Sequence, residues 1–212
     1  MNADGASGRL NALLIDAGLE LLSRETAAKF EAYLSLILRW NARVNLTALR
    51  TEDAILSRHF VESIGCARSI PRGIGTLLDL GSGAGLPGIP VALCRQEIRV
   101  TLAESKGKKA AFLQEAVRVL KIGSEVFAGR AETLEREFDC VIFRAVDRMA
   151  KAVAAGARLV GPDGWLAAMA TEGELVNLKA SAGGGFEWIE PIRMPFAERR
   201  VLALGRRLGS HS

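Results

Sequence analysis

The chain has few of the devices on which small or exported proteins lean. Only three cysteines occur among its 212 residues, Cys66, Cys94 and Cys140. They lie far apart, no pair has metal-ligand spacing, and an odd number leaves no complete disulfide framework. Free thiols, buried or half-buried, are the expectation, because an unreactive cysteine behaves as a small apolar side chain. No metal site is expected. No apolar run approaches the ~20 residues of a membrane span. Met1 to Gly8 lack the basic and apolar regions of a signal peptide. A cytoplasmic setting follows as the expectation. Internal repeats and low-complexity tracts are also missing. What is present, 49% hydrophobic and 25% charged residues, is the balance of an ordinary globular protein. The length suits one domain with a short extension.

The net charge of +4 is unevenly placed. Residues 1–190 are balanced, and the excess lies in 191–212, where Arg193, Arg199, Arg200, Arg206 and Arg207 face only Glu198. A basic end favours an acidic partner such as nucleic acid. A solvated terminus explains the charge equally well.

The first seventy residues read as helices. Phe30, Tyr33, Leu34, Ile37, Leu38 and Trp40 recur near a 3.6-residue period, which predicts a helix over about 24–44. A second pattern, Ile55, Leu56, His59, Phe60 and Ile64, follows Thr51, a candidate N-cap. Pro71, Gly73 and Gly75 then break the chain. This predicts a helical extension over 1–70 and a core over 71–212. From Thr76 onward strands and helices alternate. Strands are expected at 76–80, 98–103, 125–127, 139–143 and 165–170, with helices at 106–120, 132–136, 149–159 and 172–182. Alternation of this kind predicts a mostly parallel α/β sheet. Two further strand-like runs, 186–194 and 199–205, meet near Pro195 and predict an antiparallel hairpin at the sheet's end.

The first predicted strand runs into Asp79-Leu80-Gly81-Ser82-Gly83-Ala84-Gly85-Leu86-Pro87-Gly88. Glycine permits positive φ and close approach of backbone to a ligand. In open α/β sheets ligands sit outside the carboxyl ends of strands. Read from Gly83 the loop matches the dinucleotide fingerprint, and Glu104 lies at the expected distance for a ribose hydroxyl. Against that, Gly81 already occupies the strand end. Pro87 and Pro90 also remove N–H donors that a pyrophosphate needs. S-adenosylmethionine has no phosphates to miss them. Asp79 would favour its cationic part by charge. Glu104, at the end of the next strand, would accept the ribose hydroxyls. Gly129-Arg130-Ala131-Glu132 follows the third strand, where backbone N–H groups of Ala131 or Glu132 can border an adenine. An ordinary helix start fits those residues too.

Several segments together resemble one family. They are Trp40-Asn41-x-x-Val44-Asn45-Leu46-Thr47, Arg58-His59-Phe60-x-x-Ser63-Ile64, and the loop through Gly88-Ile89-Pro90. Glu104-Ser105-x-Gly107-Lys108-Lys109-x-x-Phe112-Leu113, Arg130-Ala131-Glu132 and Arg144-Ala145 complete the set. In this order, from about Phe30 to Leu204, they resemble the RsmG (GidB) family of bacterial small-subunit rRNA guanine-N7 methyltransferases. The resemblance implies a Rossmann-like class I methyltransferase with a seven-stranded, mostly parallel sheet and N-terminal helices. It implies a guanine in the decoding-region loop of 16S rRNA, naked or in the 30S subunit, as substrate. Carried over, Gly81, Leu86, Glu104, Ala131, Glu132 and Arg144 line the cofactor site; Asp79, Ser82, Gly83, Gly85 and Ser105 are expected beside them. One departure stands out. Where the family usually has Lys-Gly, this chain reads Ala170-Thr171-Glu172-Gly173.

Guanine N7 carries a lone pair and no hydrogen, so its methylation demands no general base. The sequence agrees. It lacks the Asp/Asn-Pro-Pro-aromatic string of exocyclic amine methyltransferases, and no cysteine stands in a recognisable nucleophile context. Neither His59 nor His211 need be catalytic. Positioning is then the chemistry. Arg144 is the candidate positioning residue, bonding guanine O6, a phosphate or the cofactor carboxylate. Its alternative is an ion pair with Asp147 or Glu132. His59 is either an interior histidine or a contact to guanine or phosphate. Asn45 and Thr47 either form the cleft rim or cap a helix. The expected RNA face comprises Arg39, Arg43, Asn45, Arg50, Arg58, His59, Arg130, Arg199 and Arg200, on a chain expected to act as a monomer. Two rival functions remain at this point, a methyltransferase for another substrate and a nicotinamide-dependent oxidoreductase. A non-catalytic RNA-binding module leaves Glu104 and the glycines unexplained.

Overall fold

The computed structural model describes residues 5–144 and 149–209. Ala145, Asp147 and His211, to which the sequence drew notice, lie outside the described residues.

The N-terminal region is helical: α1 (Ala6–Asp16), α2 (Arg24–Asn41), α3 (Glu52–Ile55) and α4 (Glu62–Ser69). The Ser23 hydroxyl opens α2 by accepting the Thr26 N–H. The helix stops at Asn41 rather than Val44, because the Asn41 side chain takes up the backbone that follows. Its Oδ1 accepts from Leu46 and Thr47 N–H, and its Nδ2 donates to Thr47 and Leu49 C=O. Thr51 caps α3 as expected, accepting the Ala54 N–H. From α3 the chain passes through a π-helical turn, Leu56–Val61, into α4. Such turns are rare and gather at functional sites.

The sheet runs β3-β2-β1-β4-β5-β8-β6, with β7 also paired to β8. Its strands are β1 (Thr76–Leu80), β2 (Arg99–Ala103), β3 (Glu125–Phe127), β4 (Phe138–Arg144), β5 (Val160–Thr171), β6 (Phe186–Trp188), β7 (Ile192–Arg193) and β8 (Arg200–Arg207). The first five are parallel, and β8 is antiparallel to β5 and β6. This is the expected seven-strand path with one short addition. The two runs at the chain end pair antiparallel, as expected of a hairpin at the sheet's end. Strand β8 inserts between β5 and β6, and the run expected over 186–194 splits in two. Val201, Leu202, Ala203 and Leu204 are buried in succession, which suits an interior strand covered on both faces. Pro191 has no N–H to offer and marks the break between β6 and β7.

Helices α5 (Gly88–Cys94), α6 (Gly107–Leu120), α7 (Met149–Leu159) and α8 (Leu175–Ala182) link the strands. The helix expected over 132–136 is only a 3-10 turn, Ala131–Thr133; Arg136 turns instead to Glu125 and Thr101. A single apolar cluster joins Leu10, Phe30, Phe60 and Ile64 of the N-terminal helices to Leu77, Ile142, Leu202 and Leu204 of one sheet face. Tyr33 stacks on Phe60 inside it at 5.1 Å. On the other face α7 and α8 cover Leu78, Val141, Phe143 and Leu166. Cys66 and Cys140 are buried and Cys94 partly so, all free.

Candidate active site

The glycine loop is drawn tight from several sides. Gly81 and Ser82 N–H both donate to Ala103 C=O at 3.0 Å, tying the end of β1 to β2. Gly81, Gly83 and Gly85 have φ of +72°, +58° and +82°, values that side chains resist. Tyr33 reaches from α2 and donates its hydroxyl to Ala84 C=O. Asp79 lies beneath the loop, 1% exposed, and its Oδ2 accepts the Gly88 N–H at 3.0 Å. Its Oδ1 is buried without a hydrogen-bond partner. Of the predicted cofactor residues, Asp79 therefore braces the loop, whereas Gly81, Ser82, Gly83 and Leu86 face a cavity. A Cβ on Gly88 would stand 2.4 Å from Leu102 Cδ2 and 2.5 Å from Asp79 Oδ2. Gly88→Ala is expected to destabilise the fold by about 1–3 kcal/mol or more, as overpacking does, in a urea titration.

Burial raises the Asp79 pKa to about 7, against the lowering effect of its hydrogen bonds. The native state therefore holds a proton between pH 7 and 4 that the unfolded chain has released. Stability from this group is present at low pH and is lost as pH rises through about 7. Asp79→Asn removes that dependence. Relative to the parent, its stability is expected to fall with decreasing pH from 7 to 4, by at most about 1.4 kcal/mol per unit. A constant difference across that range contradicts a raised pKa.

Beside the loop lies a cavity of about 490 Å³, lined by Glu104, Ser105, Gly129, Arg130, Ala131 and Glu132 with Gly81 and Lys109. Glu104 is 6% exposed. One carboxylate oxygen accepts Gly83 N–H at 3.0 Å and the other Lys106 N–H at 2.8 Å. An ionised carboxylate accepts about four hydrogen bonds, so each oxygen keeps a lone pair for hydroxyl donors. Ala131 and Glu132 open the 3-10 turn, where leading N–H groups have no intrahelical partner.

A second cavity, of about 560 Å³, shares Gly81 and Lys109 with the first. Its wall opposite the loop holds Arg58, His59, Glu62, Arg144 and Arg200. Arg144 ends β4 with its side chain 10% exposed. Its Nη2 donates to Arg58 C=O, to His59 Nδ1 (both 3.0 Å) and to Glu62 (3.1 Å), while Nη1 is buried without a partner. Among the described residues its ion-pair partner is thus Glu62 rather than Glu132. Glu62 is fully buried, and its other oxygen stands 2.5 Å from Arg200 Nη2, an ion pair off-line for a hydrogen bond. Burial raises the Glu62 pKa, and Arg144 and Arg200 oppose the rise.

His59 faces Thr47 Oγ1 through Nε2 at 2.6 Å. Since Arg144 can only donate, Nδ1 accepts and Nε2 carries the proton toward Thr47. Burial, then the charge of Arg144, lowers its pKa to about 3. His59 is thus a neutral, half-buried histidine in the cavity wall, and no limb near pH 6.5 in the rate profile is expected from it.

The remaining cationic candidates are dispersed. Arg39 pairs with Glu115 at the surface. Arg50 binds Asn41 C=O and Asn45 Oδ1, so Asn45 serves that arginine instead of capping a helix. Thr47 accepts the Leu49 N–H and caps none either. Arg43 and Arg199 are exposed. Arg58 and Arg200 line the second cavity and Arg130 the first. Where a Lys-Gly pair was missed, Thr171 and Glu174 form a capping box. Sequence reading overlooked Glu62, Tyr33 and Lys109. A carboxylate amid Phe60, Val61 and Ile64 was the available signal for Glu62.

Strand order, glycine loop and the acid at the end of β2 define a Rossmann-like class I methyltransferase fold. Solved structures agree. A SAM-dependent methyltransferase from Aquifex aeolicus superposes with a TM-score of 0.59 at 14% identity, over 73% of this chain and 93% of that one. M. jannaschii TYW2 in complex with AdoMet gives 0.56 at 17%, over 71% and 76%. The GidB family, rRNA small subunit methyltransferase G, matches residues 26–184, and this chain belongs to it. Ribosomal RNA small subunit methyltransferase G of Xanthomonas euvesicatoria pv. vesicatoria is 42% identical over 160 residues, 73% of this chain and 74% of that relative. That of Roseiflexus castenholzii is 38% identical over 204 residues, 88% and 85%.

Proposed function

We propose that the protein transfers a methyl group from S-adenosylmethionine to N7 of a guanine in the decoding-region loop of 16S rRNA. It acts as a cytoplasmic monomer, with residues 1–70 packed as an extension on the core of 71–212. One chain supplies both cavities. The residues fit such a donor. The bare backbone at Gly81 and Gly83 admits close approach, and Glu104 has lone pairs left for a ribose diol. Ala131 and Glu132 offer N–H groups to an adenine. The donor's sulfonium makes its methyl group electrophilic. This chain's part is to align, and to shield from water, the atoms that react.

The observation that carries the N7 reading is the state of the titratable groups around the second cavity. His59 is neutral with both ring nitrogens engaged, Glu62 is paired with two arginines, and Glu174 is taken by Thr171. Each of these three is engaged by neighbours within the chain, and N7 has no proton to give. The buried Nη1 of Arg144 is the donor left to orient guanine O6, a phosphate or the donor's carboxylate. Incubation with labelled S-adenosylmethionine and 30S subunits or naked 16S rRNA tests the reading. Label in 7-methylguanosine is expected. Label on an exocyclic amine or a pyrimidine carbon contradicts it.

A further inference from the structure

Phe196 is an exposed aromatic in a backbone conformation that large side chains avoid. It is 49% exposed with φ of +55°. The Ala197 N–H donates to Met194 C=O at 3.3 Å, closing a turn with Pro195 second and Phe196 third. Proline second and positive φ third mark a type II turn, whose third position ordinarily takes glycine or asparagine. A bulky residue there is strained, and such strain gathers at functional sites.

The turn is firmly seated at the rim of the second cavity. Met194 is buried, donates its N–H to Arg200 C=O at 2.9 Å, and lines the cavity with Arg200. Pro195 packs on α4, its Cδ 3.3 Å from where a Cβ on Gly65 would stand. Three arginines lie near it in the chain: Arg193 pairs with Glu172 and Arg200 with Glu62, while Arg199 is exposed. An exposed aromatic face on a seated turn, close in the chain to the exposed Arg199 and at the rim of the second cavity, suits one partner above others. Unpaired RNA bases stack on aromatic side chains, and each base offers a face for it.

We propose that Phe196 is a stacking platform for an unpaired base neighbouring the target guanine. This rests on the rRNA-methylation reading. Phe196→Gly relieves the strained φ and removes the ring; Phe196→Trp keeps a face; Phe196→Leu keeps only apolar bulk. Phe196→Gly is expected to leave adenosylhomocysteine affinity unchanged in calorimetry and to raise KM for 30S subunits or 16S rRNA by about 5-fold or more. Phe196→Trp should restore the parental KM and Phe196→Leu should not. A parental KM in Phe196→Gly overturns the inference alone. So does rescue by leucine, which signals a plain apolar contact such as one to a small-subunit protein. A parent that transfers no methyl group to either substrate overturns the rRNA reading and this inference with it.

Discussion

Glu62→Ala is expected to lower the unfolding free energy by about 3–5 kcal/mol and to abolish methyl transfer. The carboxylate is fully buried and is the ion-pair partner of both Arg144 and Arg200. Removing it strands a guanidinium that is 10% exposed and another that is 29% exposed. Arg144, the more buried of the two, is left with its charge uncompensated, whereas Arg200 can turn toward the cavity. The cost is that of leaving charge uncompensated, which exceeds the net worth of the pair itself. Glu62→Gln keeps an acceptor for Arg144 and should cost less in stability. It should still impair turnover, because Arg144 then loses the charge that fixes its Nη1 direction. Urea denaturation at pH 7.5 and methylation of 30S subunits measure the two effects. A Glu62→Ala midpoint indistinguishable from the parent contradicts the assigned role.

Glu104→Ala is expected to separate binding from folding. Its carboxylate, little exposed in the cavity wall, holds Gly83 and Lys106 N–H, and a cavity of about 490 Å³ leaves room for water to take its place. A ribose diol held by a charged acceptor is another matter. Each hydrogen bond to a charged group contributes about 1.5–3 kcal/mol, so losing two weakens binding by about 3 kcal/mol or more, at least ~100-fold. Calorimetry with adenosylhomocysteine should show that loss beside a nearly parental urea midpoint. An unchanged affinity excludes Glu104 as the ribose ligand.

These two residues also show what a sequence displays. Glu104 was legible because its signals are local: an apolar strand, a glycine loop and a spaced acid. Glu62 was not, since it meets Arg144 across 82 residues of chain, and Tyr33 meets Ala84 across 51. Alternation of apolar residues predicted β1, β2, β3 and α6 within a residue or so. It foresaw the hairpin at the end of the chain but not which of its strands lies against β5, because periodicity reports burial and says nothing of which neighbour supplies it. Both runs were seen as extended, but their insertion beside β5 depends on strand pairing at long range. The N-terminal helices were likewise foreseen as helices. That α2 clamps the glycine loop through Tyr33, and that the π-helical turn carries Arg58 and His59 to the cavity wall, depends on tertiary packing.

The central claim is a base-free transfer to guanine N7 in small-subunit rRNA. Its most direct test is nucleoside mass spectrometry of 16S rRNA, taken from 30S subunits incubated with the protein and methyl-labelled S-adenosylmethionine, with nuclease fragments locating the label. The account predicts a single labelled 7-methylguanosine in the decoding-region loop. Label in any other nucleoside, or none in RNA while a small molecule or protein acquires it, contradicts the account.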